Sequence, residues 1–139
     1  MKGIQKKRKE TILARILVID DESEVRAVVQ ELLESVGYEV EGAPNGKVGL
    51  QLFRKKPADL IIADILMPEQ DGLETILTLL RERPDTKIVA MSGGGRYGLM
   101  DYLEIARRFG VRHTIRKPFT LEELVETVQA ALGEPSAGP

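Results

Sequence analysis

Three stretches of the chain, "ARILVID" (14–20), "ADLIIAD" (58–64) and "TKIVAMS" (86–92), are apolar at nearly every position, and each stops on a polar residue. A strand with one face in water alternates apolar and polar side chains, whereas an unbroken apolar run of this length suits a strand covered on both faces. Helix-like spacing fills the intervals. Val25, Val28, Val29, Leu32, Leu33 and Val36 recur on one helical face, and Gly37 follows where a C-terminal cap is expected. "YEVEGA" (38–43) alternates as a strand, and Asn45 is placed to cap a helix running to about Lys56, with Val48, Leu52 and Phe53 inward. A third helix carries Leu73, Ile76, Leu77 and Leu80 and ends before Pro84. After "GGGRYG" a fourth helix turns Leu99, Tyr102, Leu103 and Ala106 inward and closes near Gly110. "RHTIR" (112–116) reads as a short fifth strand. Thr120 and Glu123 then form a capping box for a last helix, with Leu121, Leu124, Val125, Val128 and Leu132 as its stripe and Gly133 as its stop.

Strands alternating with helices in this way imply right-handed crossovers and a parallel sheet covered on both sides. The expected fold is therefore α/β: a doubly wound (βα)5 sandwich with a five-stranded parallel sheet. Function is expected at the carboxyl ends of the strands, near the point where strand order reverses.

Charge and composition exclude several alternatives. With 139 residues the chain holds one full core but not two comfortable ones. It has no cysteine, which removes disulfides, thiolate catalysis and a cysteine-bearing zinc site. The net charge of −2 gives no global field for nucleic acid or a membrane surface. The opening "MKGIQKKRKE" carries five basic residues and one acid, so residues 1–13 read as a basic tail, residues 14–133 as the folded domain and residues 134–139 as a C-terminal tail or the start of a linker. The apolar runs are strand-sized, and the N-terminus lacks the apolar core of a secretion signal, so the expected location is the cytoplasm.

Strand one runs into Asp20, Asp21 and Glu22; strand three ends in Asp64, strand four in Ser92-Gly93, and strand five in Lys117-Pro118. Singly, each has an ordinary explanation: an acidic first helical turn, a polar turn, a flexible glycine loop, a solvated lysine. Jointly, the topology brings them to one edge, where packed carboxylates repel one another unless a cation is shared. Hard oxygen donors in a small cluster suit Mg²⁺, which commonly bridges carboxylates to a phosphoryl group. A carboxylate at a strand end beside such an ion is a candidate nucleophile for phosphoryl transfer, with a lysine and a hydroxyl available for the other phosphoryl oxygens.

Over residues 14–133 the sequence resembles the CheY-like receiver domain of two-component response regulators, through "VIDDE", "DLIIADILMPEQDG", "MSG" and "RKPFT", in that order. The resemblance implies a flavodoxin-like sandwich and a set of roles. Asp64 would accept a phosphoryl group from a phosphohistidine on a sensor histidine kinase or a histidine phosphotransfer protein. Mg²⁺, or Mn²⁺ in its place, would be held by Asp21 and Asp64 directly, by Asp20 through water and by the backbone carbonyl of Leu66. Ser92 would hydrogen-bond the phosphoryl group, Gly93 would keep the approach open, and Lys117 would pair with the acyl phosphate, aimed by a cis Lys117-Pro118 bond. Met67-Pro68 would shape the loop that presents Leu66. The domain would be a switch rather than an enzyme, catalysing only its own phosphorylation and dephosphorylation. It would signal by contact with a downstream protein, without direct nucleic-acid or membrane binding.

Two positions depart from the family pattern. The strand-five position that often carries an aromatic ring is Thr114, and the interval from Ser92 to Lys117 is slightly long, at "GGGRYG". Switching is therefore expected in the loop "SGGGRYG" and the start of the fourth helix, with Tyr97 or Tyr102 supplying aromatic packing. Other readings fit less well. A haloacid-dehalogenase-type phosphatase wants a second aspartate at the position of Leu66, and a flavodoxin-type cofactor site would not accept the acidic "DDES". A degenerate receiver used only as a scaffold is the remaining alternative.

Overall fold

A computed structural model describes residues 12–65, 72–93, 96–97 and 100–133, with backbone alone at 96–97 and 100–102. The elements in chain order are β1 (Arg15–Ile19), α1 (Ser23–Ser35), β2 (Glu39–Ala43), α2 (Gly46–Lys55), β3 (Leu60–Asp64), α3 (Gly72–Glu82), β4 (Ile88–Ser92), β5 (Arg96–Tyr97), β6 (Met100–Asp101), α4 (Tyr102–Arg108), β7 (His113–Arg116) and α5 (Leu121–Gly133). The main sheet has the order β2-β1-β3-β4-β7, and every pairing in it is parallel. This is the expected doubly wound sandwich.

Alternate residues of each strand enter different cores, which explains the unbroken apolar runs. Leu17, Ile19, Ile61, Ala63 and Ala90 pack with Phe53 of α2, Ile76 and Leu79 of α3, and Leu103 and Ala106 of α4. Ile16, Val18, Leu60, Ile62, Val89 and Met91 pack with Val29 and Leu33 of α1, and with Leu124, Val128 and Ala131 of α5. Each valine, leucine, isoleucine, methionine or phenylalanine side chain so buried contributes about 1.5–3 kcal/mol.

The helix ends follow local rules. Asn45 accepts the Val48 N–H at 2.8 Å. Thr120 and Glu123 exchange bonds of 2.8 and 3.0 Å. Gly37 and Gly110 both take φ of 108°, a left-handed value that suits glycine after a helix.

Several positions differ from the periodic reading. Val28, Val36 and Leu121 are exposed rather than inward, whereas Leu79, outside the expected stripe, is fully buried. One covered stripe on a helix is narrower than the apolar face its sequence offers, so flanking positions stay in water. A two-stranded antiparallel hairpin, β5-β6, also precedes α4. β5 lies where a loop was expected, and β6 takes Met100–Asp101, which the periodic reading had given to the fourth helix, so that helix begins only at Tyr102. Leu66, Met67, Pro68 and Asp71 lie outside the described residues, as do Gly94, Gly95, Gly98, Leu99 and the side chains of Tyr97 and Tyr102.

Candidate functional site

Strand order reverses between β1 and β3, which are neighbours in the centre of the sheet. Asp20 follows β1 and Asp64 ends β3, so the two carboxylates leave adjacent strands side by side. One ligand oxygen each from Asp20, Asp21 and Asp64 lie within 4.8 Å of one another. Asp20 and Asp64 are buried and Asp21 is exposed, so the cluster opens to solvent on one side.

The backbone around these groups is tied down. The Asp20 N–H donates to the Ala43 carbonyl at 3.1 Å, and the Ile65 N–H to the Met91 carbonyl at 2.9 Å. Asp20 Oδ1 accepts the Glu22 N–H at 2.9 Å, and Arg26 Nη1 donates to the Asp20 carbonyl at 2.7 Å. α3 approaches so closely that a Cβ on Gly72 would overlap the Asp64 carbonyl oxygen and lie 2.7 Å from Ile65 Cα. Gly72 is thus a site residue by absence of a side chain, and no local pattern in the sequence reveals it.

Lys117 enters from the other half of the sheet. Its N–H continues the ladder to the Ser92 carbonyl at 2.9 Å, and its peptide bond to Pro118 is cis. Its ammonium donates to Asp20 Oδ2 at 2.9 Å, Asp64 Oδ2 at 3.0 Å and Glu22 Oε1 at 3.4 Å. Burial disfavours the charged ammonium, but hydrogen bonds to Asp20 and Asp64 and their charges more than offset this, so the pKa is raised above the ordinary lysine range. A Cβ at Gly93 would sit 3.3 Å from Lys117 Cδ, so the glycine leaves the stem its path.

Ser92 Oγ, at the end of β4, is buried and has no hydrogen-bond partner among the described residues. A buried hydroxyl left without any partner costs about 1–3 kcal/mol, so a group able to bond Ser92 Oγ at this position would be favoured. Three carboxylate oxygens around a common point suit a hard dication, so the residues present fit Mg²⁺. Thr114 stands apart, accepting a 2.8 Å bond from Arg107 of α4, which also pairs with Glu104. Sequence reasoning did not anticipate Glu22 as a lysine partner, and a run of acids before a helix carries no sign of it.

Residues 16–129 match the family described as response regulator receiver domain. The chain belongs to that family. It is 30% identical over 115 residues to the chemotaxis protein CheY of Thermotoga maritima, covering 82% of this chain and 93% of that one. It is 36% identical over 119 residues to the DNA-binding transcriptional regulator NtrC of Azospirillum brasilense, covering 86% of this chain but only 24% of that protein. A response regulator receiver domain protein of Clostridium thermocellum has a similar structure, with a TM-score of 0.78 at 31% identity, over 86% of this chain and 94% of the other. Receiver domains are signalling switches that bind Mg²⁺ at an acidic pocket and interact with histidine kinases or phosphotransfer proteins. No helix among the described residues is long and apolar enough to cross a membrane.

Proposed function

We propose that residues 14–133 form a phosphorylatable switch in which Asp64 accepts a phosphoryl group from a phosphohistidine on a sensor histidine kinase or a histidine phosphotransfer protein. What supports this most is one juxtaposition. A carboxylate at a rigid strand end faces a lysine ammonium at 3.0 Å, beside a buried serine hydroxyl with no partner among the described residues. A carboxylate oxygen of Asp64 attacks phosphorus, the phosphorus–nitrogen bond breaks, and the imidazole leaves with the electron pair and takes up a proton. The product is an aspartyl phosphate.

Each residue of the pocket has a task in that step. Asp20, Asp21, Asp64 and the Leu66 carbonyl would hold Mg²⁺ or Mn²⁺. The ion when bound offsets the repulsion between these carboxylates and the incoming phosphoryl oxygens. Lys117 and Ser92 donate to the phosphoryl oxygens, and Gly93 leaves room for both. An apolar groove of about 320 Å³ beside Lys117, lined by Val25, Val28, Pro118 and Phe119 among others, offers the donor protein a seat next to the pocket.

Phosphorylation adds about −1.5 to −2 charges at the pocket that Ser92 borders. With Thr114 bonded to Arg107 and carrying no ring, we assign the output movement to the loop from Ser92 into α4, and its readout to contact with a downstream protein. The NtrC relative is a DNA-binding regulator by name, but this chain spans about a quarter of it, so a nucleic-acid output would belong to a longer protein.

The test is chemical. Incubation with acetyl phosphate and Mg²⁺ is expected to give a phosphoprotein labile to hydroxylamine, and Asp64→Asn is expected to abolish the label. Label that persists in Asp64→Asn would remove the assignment.

A further inference from the structure

An ammonium has three N–H donors, and three carboxylates meet that of Lys117. Two of them are walled in, with side chains 0% (Asp20) and 5% (Asp64) exposed; the third, Glu22, is 63% exposed and has the longest contact, 3.4 Å. Glu22 occupies the N-cap position of α1, where a short polar side chain would bond the helix. It makes no capping bond. Its backbone is nonetheless held at both ends, its N–H by Asp20 Oδ1 at 2.9 Å and its carbonyl by the Arg26 N–H at 3.0 Å. A long acidic side chain on a fixed backbone is thus directed at the lysine rather than at the helix.

We propose that Glu22 is a positioning residue that occupies one N–H of the Lys117 ammonium from the exposed mouth of the pocket and so acts as a brake on phosphorylation of Asp64. The inference rests on Asp64 being the phosphoacceptor. A phosphoryl group brings three strong acceptor oxygens into reach of Lys117. Asp20 is fully buried and keeps its bond, and Asp64 Oδ2 keeps its own while the other carboxylate oxygen attacks. The donor to be handed over is thus the one on Glu22, which has the longest contact and is the most exposed of the three. Phosphorylation therefore exchanges a Glu22–Lys117 contact for a phosphoryl–Lys117 contact, and the first must be given up before the second forms.

Two variants separate contact from charge. Glu22→Gln removes the charge, while Glu22→Asp keeps it on a stem too short for the lysine. The whole chain is phosphorylated with acetyl phosphate and Mg²⁺, and the affinity for beryllofluoride, a phosphoryl mimic, is measured alongside. Both variants are expected to be phosphorylated about two- to fivefold faster than wild type, and to bind beryllofluoride more tightly by the same factor, which is what an exposed ion pair represents. In a Lys117→Ala background, Glu22→Gln is expected to change neither quantity, because the lysine through which Glu22 acts is gone. A gain in Glu22→Gln without one in Glu22→Asp, or a gain that survives Lys117→Ala, would show a charge effect at the pocket mouth and overturn the positioning role. Unchanged rates in both variants, with wild type labelled normally, would overturn this inference alone. Absence of label on wild type would overturn the phosphoacceptor reading and this inference with it.

Discussion

Lys87 and Lys117 stand at opposite edges of one sheet, the first entering β4 and the second leaving β7. Lys87 Nζ donates to the Leu132 carbonyl at 2.9 Å, closing the last turn of α5. Other charged groups at the amino edge also have partners within the fold. Asp59 accepts the Arg15 N–H at 2.8 Å, Arg83 lies 5.9 Å from the centre of the Phe53 ring, and Arg54 pairs with Glu82. Lys117 instead gathers three carboxylates from two separate segments, and the serine hydroxyl nearby is left unpaired among the described residues. At the amino edge, charges finish the backbone hydrogen bonding of the fold or pair with a single neighbouring side chain. At the carboxyl edge they are aimed into a shared space, and the fold tolerates the strain because rigid strands supply it.

If that contrast is right, substitutions at the two edges should differ in size and in their response to Mg²⁺. The largest effect is expected at the close approach of α3 to Asp64. Gly72→Ala should lower stability by about 3 kcal/mol, the upper end for overpacking, because the neighbouring atoms are backbone and cannot move aside. Gly133→Ala, where a Cβ meets nothing within 4 Å, should be neutral by the same thermal melt. Equal losses in both would dissolve the contrast.

Next in size is Lys117→Ala, which leaves Asp20 and Asp64 buried without their cation. A loss of about 2–3 kcal/mol is expected in metal-free protein, somewhat below that for a fully buried pair because the lysine side chain keeps 15% exposure. Mg²⁺ should restore much of it, so the metal-induced rise in melting temperature should be larger in the variant than in wild type. A smaller rise would mean that Lys117 does not substitute for the ion.

Lys87→Ala should cost only about 1 kcal/mol, the worth of a hydrogen bond, and that loss should be the same with and without Mg²⁺. The smallest effect has the opposite sign. Asp21→Asn removes an exposed like charge from the cluster, so metal-free protein should gain up to about 1 kcal/mol while its Mg²⁺ titration weakens. Identical Mg²⁺ titrations for wild type and Asp21→Asn would take Asp21 out of the metal site.

Much of this molecule could be read before any coordinates. Unbroken apolar runs at β1, β3 and β4 implied strands buried on both faces, because no other regular structure hides consecutive side chains on opposite sides. The caps at Asn45 and Thr120 were equally legible, since a cap acts on backbone groups only a few residues away. The convergence of Asp20, Asp64, Ser92 and Lys117 on one edge followed from the parallel sheet that strands alternating with helices imply, because parallel strands all end at the same edge.

What tertiary structure decided was every matter of distance between segments far apart in sequence. Val28 and Leu121 satisfy a helical period as well as Val29 and Leu124 do, but only two packed surfaces can say which apolar positions are covered. The short β5-β6 hairpin carries too few residues for a periodic signal. The need for glycine at position 72 exists only because α3 returns onto the end of β3. The bond from Glu22 to Lys117 joins residues 95 positions apart, and it arises because β1 and β7 deliver their ends to the same pocket. Periodicity and capping act over a few residues, and the chain records them locally; proximity across the sheet is a property of the packed whole, which no local stretch encodes.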